Sequence, residues 1–284
     1  MAGFGSIGEW CDAITNGQVV HSTFRKVPSQ NGPGAGGWCD LSMAAGNPPP
    51  NYYASDPLVG ATLSSLKGIY HGVDQAPAQK HLVDFSLTAT VAAFVGQFKL
   101  MDYLLYYPFI DLDTTDAQPF DNPIALPRYS DGNGVLAMLV CAAPTTGGGS
   151  FTFDYLNQDG VAKTSPSQIY SASSYGITNL LTQQPAISGT GGPFLQLASG
   201  DTGIRSITGW TNLVSNGGLG TAVLVKPLAD FATREIATTS EQTFVDRRPG
   251  PPRIWDGAHL NLICAPNGSL GANTIVGSAR FAWN

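Results

Sequence analysis

Charge is scarce in this chain. Asp, Glu, Lys and Arg make up 12% of its 284 residues, about half the share usual in a soluble domain. What charge there is sums to −6, which argues against a nucleic-acid partner, because such a partner needs a basic surface. Cysteine is equally sparse. Cys11, Cys39, Cys141 and Cys264 are too few for a disulfide framework over this length, include no C-x-x-C pair, and have no histidine among His21, His71, His81 and His259 at ligand spacing. No transition metal and no cofactor is therefore expected. No apolar run approaches the ~20 residues that span a bilayer, so no membrane partner is expected either. Met1–Gly5 lacks the basic start and apolar run of a signal peptide, which leads us to expect cytoplasmic synthesis with reduced thiols. There is no G-x-S-x-G elbow, and runs such as Gly189–Gly192 lack the Lys-Ser/Thr of a phosphate-binding loop.

Apolar side chains and turn formers are abundant. Hydrophobic residues reach 43%, with 34 glycines and 20 prolines. The polar surface must then be mostly hydroxyl and amide. Such a surface carries little charge to desolvate and little side-chain entropy to lose, so it is cheap to cover in an assembly. A compact β domain with many turns has the same composition, and the two readings stand side by side.

Along the chain, residues 1–55 differ from the rest. They hold Gly32–Gly37 and Pro48–Pro50 and only one short periodic run, Val19–Phe24, and read as an extended arm or loop-rich layer. Trp10-Cys11-Asp12 returns as Trp38-Cys39-Asp40 without matching flanks; each Trp is expected to anchor the arm through its large apolar ring. Asp56-Pro57 supplies an N-cap and first helical residue, and Val59, Leu63, Leu66 and Tyr70 fall on one stripe, so a helix is expected there. From Val83 to Val91 the period becomes two, the mark of a half-buried strand. Phe98–Tyr107 is apolar throughout and reads as strand from its aromatics. Val135–Cys141, the Gly147–Gly149 loop and Phe151–Tyr155 read as a hairpin at the centre of a sheet, with a second turn at Asn157–Gly160. Phe194–Ala198, Ile204–Trp210, Thr221–Lys226, Leu260–Ala265 and Thr274–Trp283 are further strands, the first two joined by Gly200–Gly203. The expected fold is mainly β: an antiparallel, jelly-roll-like sandwich over residues 56–284 with one short helix, preceded by the arm of residues 1–55.

Motifs with chemical content are few. Asp111-Leu112-Asp113-Thr114-Thr115 follows an apolar run and resembles the nucleophile motif of haloacid-dehalogenase-type phosphatases. The doubly wound sheet, downstream Lys and later acidic pair of those enzymes have no counterpart here, which leaves a turn-capping Asp cluster as the plainer reading. Asp111, Asp113 and Asp116, with Asp121, are also candidates for a hard cation such as Ca²⁺, although the spacing lacks the Gly and terminal Glu of an EF-hand. Arg247, Arg248 and Arg253 flank prolines that hold them extended, and are candidates to dock on a neighbour's carboxylates. With Trp10 and Trp38 they form the expected interface set.

The MAGFGSIGEW start, the Gly/Pro-rich arm, the uncharged GNGVLAMLVCAAPTTGGGSFTF stretch and the LNLICAPNGSLGANTIVGSARFAWN tail resemble structural proteins of tailed-bacteriophage virions, most of all head decoration (cement) and minor capsid components. The resemblance implies a non-enzymatic protein made in the host cytoplasm and carried in the virion. It also implies a homo-oligomer such as a trimer, seated on a major capsid protein. A glycan-binding or host-attachment sandwich is the alternative from another class, and a metal-dependent hydrolase the third.

Overall fold

The computed structural model describes residues 4–28, 37–90, 96–169, 180–181, 192–215, 217–235, 237–245, 250–267 and 273–284. Strands of eight residues or more carry the architecture and are numbered here in chain order: β1 Val19–Val27, β2 Lys80–Ala89, β3 Gly96–Asp111, β4 Leu136–Ala143, β5 Ser150–Asn157, β6 Ile204–Asn212, β7 Leu219–Thr233, β8 His259–Pro266 and β9 Ile275–Trp283. They pair antiparallel in three sheets, and the chain forms the mainly β, antiparallel sandwich expected from its sequence.

The central sheet runs β8-β3-β7-β4, with Cys39–Asp40 outside β8 and Ala61–Thr62 on β3. Its middle strands, β3 and β7, are 16 and 15 residues long. At about 3.3 Å per residue they reach some 50 Å, enough to floor two cores. One outer sheet (β2-β9-β1, edged by Ser240–Thr243 and Ala45–Asn47) covers one end, where Phe24, Phe85, Ile275 and Phe281 pack on Phe98, Leu100, Phe231 and Leu262. The other (β5-β6, edged by Ala162–Thr164 and Gln118–Pro119) covers the other end, where Phe151, Phe153, Tyr155 and Trp210 pack on Leu104, Tyr107, Leu139 and Leu224. On the reverse face Trp38, Tyr53 and Leu63 lie over Met101, Tyr103, Val223 and Ile263. The central sheet is thus buried on both sides. That is why Phe98–Tyr107 shows no alternation, whereas β2, covered on one side, keeps Phe85, Leu87 and Ala89 in and Asp84, Ser86 and Thr88 half-exposed.

Residues 1–55 supply β1, which pairs β9 from Val19 to Lys26, and, from residue 38 on, part of the layer over the reverse face. The stripe Val59–Tyr70 does not form a helix. Leu66 and Tyr70 are 87% and 58% exposed while Leu63 is buried, and the segment runs as a turn, the Ala61–Thr62 bridge and one 3-10 turn at Ser65–Lys67. Gly60 and Gly68 disfavour a helix by about 1 kcal/mol each and allow close approach instead: a Cβ at Gly68 would lie 2.9 Å from the Leu260 amide nitrogen. The helix found among the described residues is α1, Ile7–Thr15. Ser6 Oγ accepts the Glu9 N–H and the Glu9 carboxylate accepts the Gly5 N–H, close to a capping box, whose S-x-x-E pattern is present in the sequence.

The expected central hairpin is also corrected. β4 pairs β7 at the edge of the central sheet, while β5 pairs β6 in an outer one. Residues 144–149 carry the chain across the ~10 Å between facing sheets, and Leu139 and Phe151 meet in one core from opposite sides. Phe194–Ala198 is irregular rather than strand; Asn157–Gly160 does turn β5 into Ala162–Thr164.

The tightest fit lies in β9, where a Cβ at Gly277 would come 2.3 Å from both the Phe24 ring and the Ser86 carbonyl oxygen. Gly277→Ala should destabilise the protein by about 2–3 kcal/mol and lower its melting temperature by roughly 5–10 °C. A variant melting with the parent would disprove this packing of β1 on β9 and β2.

Candidate functional site

The expected interface residues are scattered. Trp38 is buried on its own chain's central sheet, with the Lys99 ammonium 5.6 Å from its ring centroid. Trp10 is half-buried on α1, its ring edge-on to Phe4 at 5.7 Å. Arg253 is exposed at the start of a two-residue strand against β2, its guanidinium 3.6 Å over the Trp255 ring. Arg247 and Arg248 lie outside the described residues. The carboxylates at the end of β3 are held in turns: Asp111 accepts the Asp113 N–H, and the Asp116 N–H goes to Thr114 Oγ1. Gln118 and Asn212 pin the Asp111 carbonyl. Among the described residues no three His, Cys, Asp or Glu side chains gather to hold a metal ion.

Two buried polar nodes fix the layers instead. Asp102 lies on β3 between Leu100 in one core and Leu104 in the other. Arg128 grips it with two bonds of 2.8 and 2.7 Å and donates also to the carbonyls of Gly257 and Tyr103. Burial pushes the Asp102 carboxyl up, against the pull of Arg128. On the reverse face Asp40 accepts from Ser42, Tyr53 and Tyr103, which ties the layer to the sheet. Close by, burial lowers the Lys26 ammonium to about 8, opposed by Asp40, and Lys26 donates to the Ala44 and Pro48 carbonyls. None of these partners sits at a recognisable sequence spacing; only the single charges inside apolar runs, Asp102 in FKLMDYLLYY above all, could have marked them.

Among the described residues, exposed apolar side chains gather at three places. On α1, Ile7 (68% exposed), Trp10 and Ile14 (43%) share a face at i, i+3 and i+7, while Ala13 faces the body. Ile169, Leu213 and Val214 cluster around Ser150: Ile169 pairs with it, and the other two donate to its carbonyl. Leu66, Tyr70 and Val73 rim a groove of about 440 Å³ whose polar lining includes Thr23, Asn47 and Asp74.

Known proteins offer only faint company. No protein-family model and no curated protein matches the chain. Among solved structures, weak similarity reaches VP2 of infectious bursal disease virus. The D431N mutant VP2 of infectious bursal disease virus, from derived T=1 particles, aligns at TM-score 0.20 and 9% identity over 93% of this chain and 77% of that one. The VP2 subviral particle of the same virus gives 0.18 and 10% over 94% and 80%. The fold described above stands on its strand pairing alone.

His259, at the seam beside Asp102, reports on the integrity of these nodes. Its Nδ1–H donates to the Ser64 carbonyl at 2.8 Å, Nε2 has no partner among the described residues, and burial drives the imidazole down to about 4. An unfolded histidine titrates near 6.5, so between pH 6.5 and about 4 the unfolded chain takes up a proton that the folded one refuses. Stability should therefore fall by about 3 kcal/mol as pH drops through that window, with His71 and His81, both lowered by burial, adding in the same direction. Urea unfolding across this range should show a shallower slope for His259→Gln; an unchanged slope would remove His259 from the account.

Proposed function

We propose that this chain is a non-enzymatic structural protein of a virion, a decoration or cement protein that oligomerises and stabilises a shell of major capsid protein. The observation that carries the reading is the apolar stripe Ile7–Trp10–Ile14, which α1 turns outward on a molecule otherwise short of charge. Of the 34 Asp, Glu, Lys and Arg residues, Lys26, Lys80, Asp40 and Asp102 are buried, so part of an already small complement of charge is withdrawn from the outer face. Covering such a face loses little hydration, and interfaces of roughly 1,600 Å² repeated around a symmetric oligomer add avidity without any catalytic group. The partner for the stripe in this reading is a second copy of the chain.

Sedimentation velocity over a wide concentration range tests it. The parent should associate, and Ile7→Asp with Ile14→Asp should weaken association at least about tenfold while leaving the melting temperature near the parent's. A parent that stays monomeric throughout and is absent from purified particles would end this reading.

Carbohydrate attachment is a second reading, favoured by one observation: the exposed Tyr70 ring stands beside Asn47, Thr23 and Asp74 in the 440 Å³ groove, an aromatic platform with adjoining hydrogen-bond groups. Tyr70→Ala should then abolish binding on a glycan array, and an array blank for the parent removes this alternative.

A further inference from the structure

We propose that Cys39 and Cys264 are a modification site, closing to a cross-strand disulfide that staples the Cys39–Asp40 edge strand to β8 of the central sheet. The two residues are register partners on the antiparallel pair formed by Cys39–Asp40 and β8. Residues directly opposite in such a pair have Cα atoms about 4.5–5.5 Å apart, inside the 4.4–6.8 Å that a disulfide spans. Their sulfurs already lie 3.0 Å apart, and both residues are at most 1% exposed. Competing partners are remote: Cys11 is exposed on α1, and Cys141 lies in the other core.

The reaction needs a named oxidant, and a small disulfide such as oxidised glutathione serves. One cysteine thiolate attacks it and releases one glutathione thiol; the second cysteine attacks the mixed disulfide and releases the other. The protein loses two protons and two electrons, and one small disulfide becomes two thiols. Burial holds the Cys264 thiol well above its ordinary range, so the attack requires Cys39–Asp40 to lift from β8. That strand is two residues long, continued by the Leu41 N–H to Leu262 carbonyl bond. The bond is accordingly made while this edge strand docks, and once closed its sulfurs are shielded from reductant. It spans 225 residues of chain, and a closed loop of that length restricts the unfolded state strongly. The inference does not rest on the virion reading.

The test is to refold the full chain with Cys11→Ser in reduced and oxidised glutathione, then map unreduced peptides by mass spectrometry. The oxidised protein should be about 2 Da lighter, yield a peptide linking Cys39 to Cys264, and melt about 10 °C above the reduced form. Cys264→Ala should show no oxidant-dependent rise. Full alkylation of both thiols after oxidative refolding and denaturation, or recovery of Cys39 linked to Cys141, would overturn the proposal.

Discussion

The Arg128 guanidinium on the Asp102 carboxylate is the contact on which the two-core arrangement turns. β3 and β7 are longer than one sandwich can cover, so the outer sheets divide their length and leave a seam. At that seam β3 presents a carboxylate instead of a hydrophobe. A lone carboxylate there would be prohibitively placed, but the planar fork of Arg128 meets both oxygens, and the His259 N–H adds a third bond. The same guanidinium reaches the Gly257 and Tyr103 carbonyls, so one side chain joins the 123–129 loop, β3 and the entry to β8.

The reverse face obeys the same constraint with different groups. There, among the described residues, Asp40 meets three hydroxyls and a backbone N–H in place of a guanidinium. Two of those hydroxyls belong to tyrosines on opposite sides of the contact, Tyr53 in the covering layer and Tyr103 on β3. The layer is therefore held by directional bonds as well as by Trp38 and Leu63. With Asp102, Asp40 and Lys26 turned inward at these nodes, hydroxyls and amides make up much of the polar exterior, beside a few exposed apolar side chains.

Part of this was legible from local pattern. Phe85, Leu87 and Ala89 alternate with polar neighbours because β2 is covered on one side, and period two is a property of the strand itself. Val59, Leu63, Leu66 and Tyr70 satisfy helical spacing by coincidence, while Gly60 and Gly68 let the backbone approach Tyr107 and Leu260. The genuine helix carried its signature in Ser6 and Glu9, two residues that are easily passed over in a Gly-rich start. Of the candidate site residues, Trp38 was legible as an anchor from its size. The stripe on α1 was not, because exposure is not a property of sequence spacing.

The sequence by itself determined that the chain would be an antiparallel β protein with a real core, a sparsely charged surface and turns at Gly, Pro and Asn. These follow from side-chain period and backbone preference, which act over a few residues. Only the tertiary structure decided that β4 and β5 part into different sheets, that Arg128 answers Asp102, and that Cys39 faces Cys264 across 225 residues. Those pairings depend on which faces meet once the chain has collapsed, and local spacing carries no record of a partner so far along the chain.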